Sequence, residues 1–433
     1  AAKYALILTG ADVKTVYLYG ILKEIIFMKP PQGHETYDEN GNLLVCQLIK
    51  AIYGLRQSGE RWEARLGGQL REMGMTRCDV DPCLWRRGDA DQKTLILVAH
   101  YVDDIIIASS TKEARDDFLK ELKKAFRITD EGDLHWFLQT KISQSPDLRT
   151  VTMDQSLYIK DLVENYVKDS AGKGRTTPAD PSILNLDDLP EGELVNPEYP
   201  KLIGKLLWVA LLTRPDIAFA VAYLSRFVKA GGSPHMEHAY NVLKYLARTW
   251  KYQISFSPQE ATSWELLRQH SKFNEDVLSE GALRAWTDSS FGGARPPAGY
   301  VIEYNNGPIG YAAFRAAFTP TSSCLGEYMA AIRATIATLA LRDTLGFIQG
   351  APLREPTPVF CDNLAAVQLS DNDTSSKRLK HVSTRIAFLR EQVQEFKTIT
   401  LIHVYGKGMV ADIFTKPLTA ELFHIFRRAL VGV

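Results

Sequence analysis

The alternation of apolar and polar positions is clearest in the first third of the chain. The run Leu95–Ser109 is apolar and β-branched except for the adjacent pair Asp103 and Asp104, which predicts two buried strands joined at the acidic pair. The segment Ala11–Leu18 predicts another strand. Apolar residues at helical spacing predict two amphipathic helices, over Gly59–Met73 and Lys112–Phe126. The N-terminal region therefore mixes short strands with helices.

The rest of the chain divides by pattern into a loop, a helical region and a second α/β unit. Thr176–Pro200 is rich in Pro, Asp and Glu and predicts a loop. Tyr199–Trp250 is strongly helical, with a break at Arg214 and Pro215 because proline ends or kinks a helix. After a polar connector the pattern restarts at Ala282, where strands and helices again alternate.

The composition indicates a globular protein of more than one domain. The chain has 433 residues, 45% hydrophobic and 24% charged, and this length predicts two or three domains. The longest helical apolar run, Leu206–Leu212, is interrupted at once by polar residues and a proline, so no segment is expected to span a bilayer. The N-terminus has neither a secretory signal nor an initiator Met, which favours a processed product or an excised piece.

The cysteines bear on the redox compartment of the protein, and the charge distribution bears on its surfaces. Five scattered cysteines argue against a disulfide framework and favour a reducing compartment. Cys78 and Cys83 lie in the run CDVDPC, but no further zinc ligands are evident nearby, so both are interpreted as buried thiols. Net charge is zero, yet Thr176–Pro200 is acidic while Lys50–Arg77 and the C-terminal end are basic. An acidic linker that masks basic faces is one interpretation, and solvated helix surfaces are the other.

Three acids in the first third indicate metal chemistry. Asp103 and Asp104 interrupt buried strands, and Asp12 lies in another predicted strand. A buried carboxylate is unfavourable unless a cation offsets its charge. A strand acid beside an acidic turn could hold two Mg²⁺ about 3.5–4 Å apart for phosphoryl transfer. An Asp-Asp pair alone is more often a turn or a helix cap.

Six segments then carry a resemblance. Tyr101–Asp104 (YVDD) resembles the signature box of reverse transcriptases. Five others, in the correct order, resemble the Ty1/copia class of LTR retrotransposon Pol: ADVKTVYLYG (Ala11–Gly20), IFMKPPQG (Ile26–Gly33), AIYGLRQSGERW (Ala51–Trp62), TRPDIAFAVAYLSRF (Thr213–Phe227) and ADIFTKPL (Ala411–Leu418). The resemblance covers essentially the whole chain.

The resemblance implies substrate contacts as well as metal ligands. Tyr17 falls at the family's aromatic steric gate against a ribose 2′-hydroxyl, although an ordinary strand tyrosine is the alternative. Gln57 would contact the incoming nucleotide and template, and Tyr101 belongs to the signature box. Two further groups of contacts are implied, in a primer-grip hairpin (Phe137, Leu138 and Gln139) and on a thumb helix along the duplex (Gly204, Lys205 and Trp208). Helix core is the alternative for the last group, and it is preferred for the neighbours Leu206 and Leu207.

A second set of acids lies at the ends of predicted elements in the C-terminal α/β unit: Asp288, Glu327, Asp362 and Asp412. Four such acids suit an oxygen-ligated two-metal nuclease, and in this order they resemble the catalytic set of ribonuclease H. Ser290 stands where the family commonly has another acid. Assistance in product release is one interpretation of His403 and a structural histidine is the preferred one, and the same two interpretations apply to His381.

Together these features predict an α/β (α+β) fold class: a right-hand polymerase palm and helical thumb, followed by a ribonuclease H-like α/β domain. The expected boundaries are 1–155 for the palm with partial fingers, 156–257 for the thumb or connection with the acidic linker 176–200, and 258–433 for the ribonuclease H-like domain. The implied function is RNA-directed DNA polymerase with ribonuclease H activity, using two Mg²⁺ (or Mn²⁺) at each site. The alternatives are an impaired or domesticated nucleic-acid-binding fragment and an integrase-like nuclease alone.

The resemblance also implies partners and a setting. The partners are an RNA template, a DNA or tRNA primer, RNA/DNA hybrid and dNTPs, with integrase and capsid segments of the same polyprotein, and no membrane. The implied location is a cytoplasmic virus-like particle, with nuclear entry left open. Only eleven residues precede Asp12, so the family's N-terminal fingers are expected to be largely absent.

Overall fold

The computed structural model describes residues 1–89, 91, 93–167, 174–188, 196–258, 262–270, 282–293, 295–371 and 383–432. These residues form two compact units. The N-terminal unit is Leu6–Leu134 with Phe347–Gly350, and the C-terminal unit comprises Ala1–Ala5, His135–Gly346 and Ala351–Val433. The fold is mixed α/β, as predicted. The palm and thumb assignment and the boundaries at 155 and 257 stay predictions.

The N-terminal unit is built on an antiparallel sheet with strand order β4-β5-β6-β7-β1-β8 and a separate ribbon of β2 and β3. Its strands are β1 Ile7–Val13, β2 Ile21–Met28, β3 Cys46–Lys50, β4 Thr76–Arg77, β5 Leu84–Arg87, β6 Ile96–Tyr101, β7 Asp104–Ser109 and β8 Ile128–Asp133. Its helices are α1 Ser58–Glu72 and α2 Lys112–Leu122. The predicted pair of strands within Leu95–Ser109 and both predicted helices are thus confirmed.

Helical spacing explains why α1 covers this sheet. Trp62, Leu66 and Leu70 recur every fourth residue on one face of the helix, and each is at most 1% exposed. Helix α2 begins where the Thr111 side chain accepts a hydrogen bond from the Ala114 amide at 3.1 Å, which is an N-cap. Both helices therefore form for local reasons and then bury an apolar face.

The strand predicted over Ala11–Leu18 is wrong in its extent. Strand β1 ends at Val13, and Thr15 then adopts a left-handed conformation with φ 55°. The chain continues as a short 3₁₀ turn over Val16–Tyr19. Because a β-branched residue at positive φ breaks the extended run, the second half of the apolar pattern turns away from the sheet.

The C-terminal unit contains two sheets and nine labelled helices among its described residues. The sheet orders are β12-β11-β10-β9 and β15-β14-β13-β16-β17. The strands are β9 Trp136–Phe137, β10 Thr140–Gln144, β11 Val151–Asp154, β12 Ile254–Phe256, β13 Arg284–Ser289, β14 Pro297–Tyr304, β15 Gly307–Arg315, β16 Thr357–Cys361 and β17 Ile399–His403. The helices are α3 Ser156–Val167, α4 Glu198–Leu212, α5 Ala218–Ser225, α6 Ser233–Thr249, α7 Thr262–His270, α8 Ser323–Gln349, α9 Leu364–Asp371, α10 Ser383–Arg390 and α11 Ala420–Leu430.

The break predicted at Arg214 and Pro215 is confirmed, and a buried ion pair lies at it. Helix α4 ends at Leu212, and a 3₁₀ turn over Pro215–Ile217 leads into α5. Arg214 donates to both carboxylate oxygens of Asp216, at 2.9 and 2.7 Å, and both side chains are fully buried. Hydrogen bonds from Arg214 to Thr249 at the end of α6 join the break to that helix.

Helix α8 corrects the expectation that no segment is long and apolar enough to span a bilayer. Among the described residues, Ser323–Gln349 meets that criterion by length and composition. Its apolar residues, including Leu325, Ala331 and Leu345, are buried in a core shared with the five-stranded sheet. A long core helix passes the same test, so the feature is weak evidence for a membrane.

Candidate active sites

The first acid set lies where a strand meets a hairpin turn in the N-terminal unit. Asp12 on β1 is paired in register with Asp104, the first residue of β7. Asp103 lies in the turn between β6 and β7, and its carbonyl oxygen accepts a hydrogen bond from the Val13 amide at 3.0 Å. The structure therefore brings the three predicted acids to the same end of three neighbouring strands.

A lysine lies beside these acids. Nζ of Lys14 is 2.5 Å from a carboxylate oxygen of Asp12, and this contact raises the pKa of Lys14. Burial, followed by the charges of Asp103 and Asp12, raises the pKa of Asp104.

Among the described residues, the groups of metal-ligand atoms that all lie within 4.8 Å of one another do not include this set. The three carboxylates are neighbours, but they are not gathered around one point.

A side chain of helix α1 holds the backbone of the turn that carries Asp103 and Asp104. Val102 has φ 57°, which is strained for a β-branched residue. Its carbonyl oxygen accepts a hydrogen bond of 2.6 Å from Nε1 of the buried Trp62 on α1. The preceding Tyr101 is 57% exposed. Helix α1 thus fixes the turn that presents Asp103 and Asp104.

Two other predicted contacts of the N-terminal unit lie at turns. Tyr17 is half-buried in the 3₁₀ turn after β1, and its ring packs edge-on against Tyr53 with centroids 4.8 Å apart. Gln57 is the N-cap residue of α1, and its side chain makes no capping hydrogen bond. Tyr17 therefore lies in a 3₁₀ turn and not in the strand that was predicted for it.

The predicted primer-grip residues form a tight hairpin in the C-terminal unit. Phe137 on β9 pairs with Thr140 on β10. Leu138 and Gln139 connect them with φ of 48° and 62°, which is the pattern of a two-residue type I′ turn. This loop usually takes Asn-Gly, so its strain was not evident from the sequence.

Helix α4 of the C-terminal unit presents the third group of predicted contacts. Gly204 is exposed, and a Cβ added there would meet no atom within 4 Å. Lys205 and Trp208 are half-buried on the same helix. Leu206 is fully buried and Leu207 packs against the core, as expected for both. Gly204, Lys205 and Trp208 therefore form a partly polar strip along the helix that is exposed or half-buried.

The second acid set converges at one end of the five-stranded sheet. Strands β13 and β16 are parallel neighbours, so Asp288 near the end of β13 and Asp362 directly after β16 lie at the same edge. Asp412 completes a group whose ligand oxygens all lie within 4.8 Å of one another. Glu327 on α8 belongs to a neighbouring group with Cys361 and Asp362, and it accepts a hydrogen bond of 3.1 Å from the Ser289 amide.

Crowding of these acids perturbs their protonation. Burial, followed by the charges of Asp288 and Asp362, raises the pKa of Glu327 to about 10. Burial and the charge of Asp288 raise the pKa of Asp412 to about 7. The pKa of Asp362 is raised for the same reasons. The folded site thus disfavours ionisation of these acids, because their negative charges would have too few positive partners.

Two neighbours of this set, Lys416 and Thr415, were not singled out from the sequence as site residues. Nζ of Lys416 lies 2.8 Å from Asp412 and 3.7 Å from Asp288. Thr415 donates a hydrogen bond to Asp288, and Ser290 donates one of 3.0 Å to the Thr415 carbonyl. The spacing of Asp412 and Lys416 is the signal that could have found the lysine, because residues four apart can pair.

One expectation about the second set needs correction, and one of its histidines lies outside the described residues. Asp412 was expected to begin a helix, and it does not. It lies within a 3₁₀ turn over Val410–Phe414, and α11 starts later, at Ala420. His403 is on β17, where its Nε2 lies 2.9 Å from the Asp362 carbonyl oxygen. His381 lies outside the described residues.

Sequence comparisons place the chain among known proteins. A sequence model of the family described as reverse transcriptase (RNA-dependent DNA polymerase) matches residues 1–180. The Retrovirus-related Pol polyprotein from transposon TNT 1-94 of Nicotiana tabacum is 26% identical over 443 residues, covering 100% of this chain and 31% of that polyprotein. The chain carries a copia-type reverse transcriptase region.

Further relatives of this copia-type region agree. The Pol polyprotein from transposon RE1 of Arabidopsis thaliana is 29% identical over 422 residues, covering 96% of this chain and 27% of that protein. The putative transposon Ty5-1 protein YCL074W of Saccharomyces cerevisiae is 28% identical over 303 residues, covering 68% of this chain and 96% of that protein. The chain spans about a third or less of the two plant polyproteins.

A solved structure was also matched. LC11-RNase H1 in complex with RNA/DNA hybrid is 19% identical, with a TM-score of 0.24, covering 31% of this chain and 94% of that one. A likeness of this size carries no argument about the copia-type chain.

The residues present fit a hard divalent cation at the second acid set. All of the ligand atoms offered by Asp288, Asp362 and Asp412 are carboxylate oxygens, which Mg²⁺ and Mn²⁺ prefer. The raised pKa values of Glu327 and Asp412 show the unbalanced charge that such a cation would offset. The first acid set offers the same donors, and in each set a lysine pairs with one acid, Lys14 with Asp12 and Lys416 with Asp412.

Proposed function

We propose that this copia-type chain is an RNA-directed DNA polymerase joined to a ribonuclease H, and that each site uses two Mg²⁺. The observation that carries the proposal is the gathering of Asp288, Asp362 and Asp412 within 4.8 Å at one end of two parallel strands. The register pairing of Asp12 with Asp104 supports the polymerase half. The match of residues 1–180 to the reverse transcriptase family supports it independently.

The nuclease half rests on what the residues around the second acid set can do. Asp288, Glu327, Asp362 and Asp412 would hold the metal pair. A metal pair held there would supply activation of the attacking water and stabilisation of the leaving oxygen. Thr415 orients the Asp288 carboxylate by hydrogen bonding. Lys416 offsets the charge of Asp288 and Asp412 when no metal is present. Once metal takes over that role, Lys416 would be free to contact a substrate phosphate.

The polymerase half assigns roles to residues of both units. Asp12, Asp103 and Asp104 would hold its metal pair, and the ring of Tyr17 would exclude a 2′-hydroxyl. Gln57 and Tyr101 would meet nucleotide and template. The hairpin at Phe137–Gln139 would position a primer, and the strip of Gly204, Lys205 and Trp208 would follow a duplex. RNA template, DNA or tRNA primer, hybrid and dNTPs are the proposed partners, and a cytoplasmic virus-like particle is the proposed location.

One observation favours a second candidate, a polymerase-impaired nucleic-acid-binding protein. The first acid set is not gathered within 4.8 Å among the described groups, and Lys14 pairs with Asp12. In that case the second site alone would be active.

A separation-of-function experiment tests both candidates. Primer extension on poly(rA)/oligo(dT) and RNA cleavage in a hybrid are measured with Mg²⁺ for Asp103→Asn and Asp362→Asn. Asp103→Asn should abolish extension and spare cleavage, and Asp362→Asn should do the reverse. The exposed Asp133 and Asp343 supply matched control Asp→Asn variants that should keep both activities. Cleavage without any extension by the unaltered chain would favour the second candidate. If neither substitution changes either activity, the proposal is wrong.

A further inference from the structure

A third cluster of ligand-type side chains lies in the N-terminal unit, apart from both acid sets. It consists of Glu63 on α1, Cys83 just before β5 and His100 on β6. One carboxylate oxygen, the thiol sulfur and one ring nitrogen all lie within 4.8 Å of one another. From this geometry we propose that Glu63, Cys83 and His100 bind a divalent cation of the zinc class.

The histidine is the strongest element of the cluster. Its side chain is 1% exposed, and its Nδ1 makes no hydrogen bond. A buried ring nitrogen without a partner is unfavourable and calls for an explanation. A carboxylate oxygen of Glu63 lies 3.5 Å from Nδ1. A cation between these two atoms would supply the missing partner.

The spacing of the ligand atoms suits a tetrahedral ion. Zinc bonds of about 2.0–2.1 Å to nitrogen and oxygen and about 2.3 Å to sulfur put neighbouring ligand atoms roughly 3.3–3.7 Å apart. The 3.5 Å between His100 and Glu63 already falls in this range, and the 4.8 Å limit on the others requires only small side-chain movements. Three protein ligands leave the fourth position for water.

The type of donor selects the class of cation. Imidazole and thiolate suit zinc and cobalt, whereas Mg²⁺ prefers oxygen ligands alone. Burial lowers the pKa of His100, which keeps its ring neutral, the form that binds metal. Burial and then the charge of Glu63 raise the pKa of the Cys83 thiol. Binding would therefore release the thiol proton to solvent as the sulfur–metal bond forms.

The surroundings hold the ligands and leave an entry. Asp81 accepts a hydrogen bond of 2.9 Å from the Cys83 amide, and Arg77 donates one of 2.8 Å to the Pro82 carbonyl. These contacts fix the loop that carries the thiol. The Glu63 side chain is 39% exposed, so a hydrated ion can approach from that side.

The sequence interpretation of Cys83 as a plain buried thiol is therefore replaced, whereas Cys78 stays buried and outside the cluster. The partners of Cys83 are about twenty residues before it and seventeen after it. They come from a helix and from the next strand of the sheet, so no local cysteine–histidine spacing reveals them.

Cobalt absorption tests the proposal on the full chain. The reduced, chelator-stripped protein is titrated with Co²⁺, and the thiolate-to-cobalt charge-transfer band is followed. One equivalent should give the band, and Zn²⁺ should remove it by displacement. Cys83→Ser should abolish the band, and Glu63→Gln should weaken Co²⁺ binding by about tenfold or more. Circular dichroism of each variant checks that it is folded.

Two matched cysteine variants complete the test. Cys46→Ser removes an exposed thiol of the same unit, and Cys361→Ser removes the thiol next to the second acid set. Both should keep the band. Absence of the band in the unaltered chain, or its survival in Cys83→Ser, overturns the proposal. The outcome is independent of the polymerase and nuclease assays because only a sulfur ligand produces the signal.

Discussion

The buried ion pair at the break between α4 and α5 gives the sharpest stability prediction. Arg214 and Asp216 lie 2.7 Å apart with both side chains fully buried. Lys201 and Glu198, on the surface of α4, lie 2.8 Å apart with side chains 65% and 51% exposed. The shortest nitrogen–oxygen distance is almost the same in the two pairs, and their burial is opposite. Arg214→Met and Lys201→Met therefore measure what burial does to an ion pair in one unit.

The expected magnitudes differ several-fold. Arg214→Met leaves the Asp216 carboxylate buried, with the Tyr245 hydroxyl, which donates a hydrogen bond of 2.5 Å, as its remaining side-chain partner among the described residues. Breaking one side of a buried pair lowers the free energy of unfolding by about 3–5 kcal/mol. The loss of two hydrogen bonds to Thr249 acts in the same direction. Lys201→Met should change it by less than about 1 kcal/mol, because water replaces the contact.

Urea denaturation followed by tryptophan fluorescence and far-UV circular dichroism measures both variants. A double variant, Arg214→Met with Asp216→Leu, should be more stable than Arg214→Met alone, because no uncompensated charge remains buried. Equal destabilisation by Arg214→Met and Lys201→Met would refute the reasoning. The reasoning would also be refuted if the loss of stability in the double variant equalled the sum of the losses in Arg214→Met and Asp216→Leu, each measured alone.

Three further predictions concern the sites. Without metal, stability should fall as pH rises, because folding raises the pKa of Glu327 from 4.5 to about 10 and the pKa of Asp412 from 3.8 to about 7, so the folded chain holds protons that the unfolded chain releases. Thermal melts from pH 5 to 10 should show this fall in the presence of chelator, and the fall should disappear with Mg²⁺. Tyr17→Ala should admit ribonucleotides in primer extension, while the matched Tyr53→Ala should not. Gly204→Ala should raise the free energy of unfolding by up to about 1 kcal/mol, since its Cβ meets no atom within 4 Å, yet shorten the products of extension if α4 lies along a duplex.

Local pattern was enough to predict most elements near the first acid set. The strands within Leu95–Ser109 follow from an unbroken apolar run, and α1 follows from apolar residues at helical spacing. The extent of β1 could not be read in the same way. Its apolar pattern continues past Val13, while the left-handed Thr15 ends the strand. Positive φ at a β-branched residue is imposed by tertiary structure and leaves no local signal.

The partners of the site residues were harder to predict than the residues themselves. Chain order and residue type suggested the acids, but Lys14 and Lys416 were overlooked, although each follows an acid of its set within four residues. Cys83 and His100 meet only because β5 and β6 are neighbours in the sheet. Contacts of this kind depend on strand pairing, which composition and spacing do not specify.

The two acid sets differ in how far the fold has prepared them for a cation. In the second set, Asp288, Asp362 and Asp412 are gathered within 4.8 Å, and burial, followed by repulsion from Asp288, raises the pKa of Asp362 and of Asp412. A cation there relieves a repulsion that folding has already created, and it requires only that the Lys416 ammonium, 2.8 Å from Asp412, move aside. In the first set the pair of Lys14 and Asp12 must open in the same way, and the three carboxylates, which are not gathered within 4.8 Å, must also draw together. The second site should therefore fill at lower Mg²⁺ than the first, and hybrid cleavage should saturate before primer extension as Mg²⁺ is raised. Simultaneous saturation would show that the wider spacing of the acids in the first set does not weaken Mg²⁺ binding there.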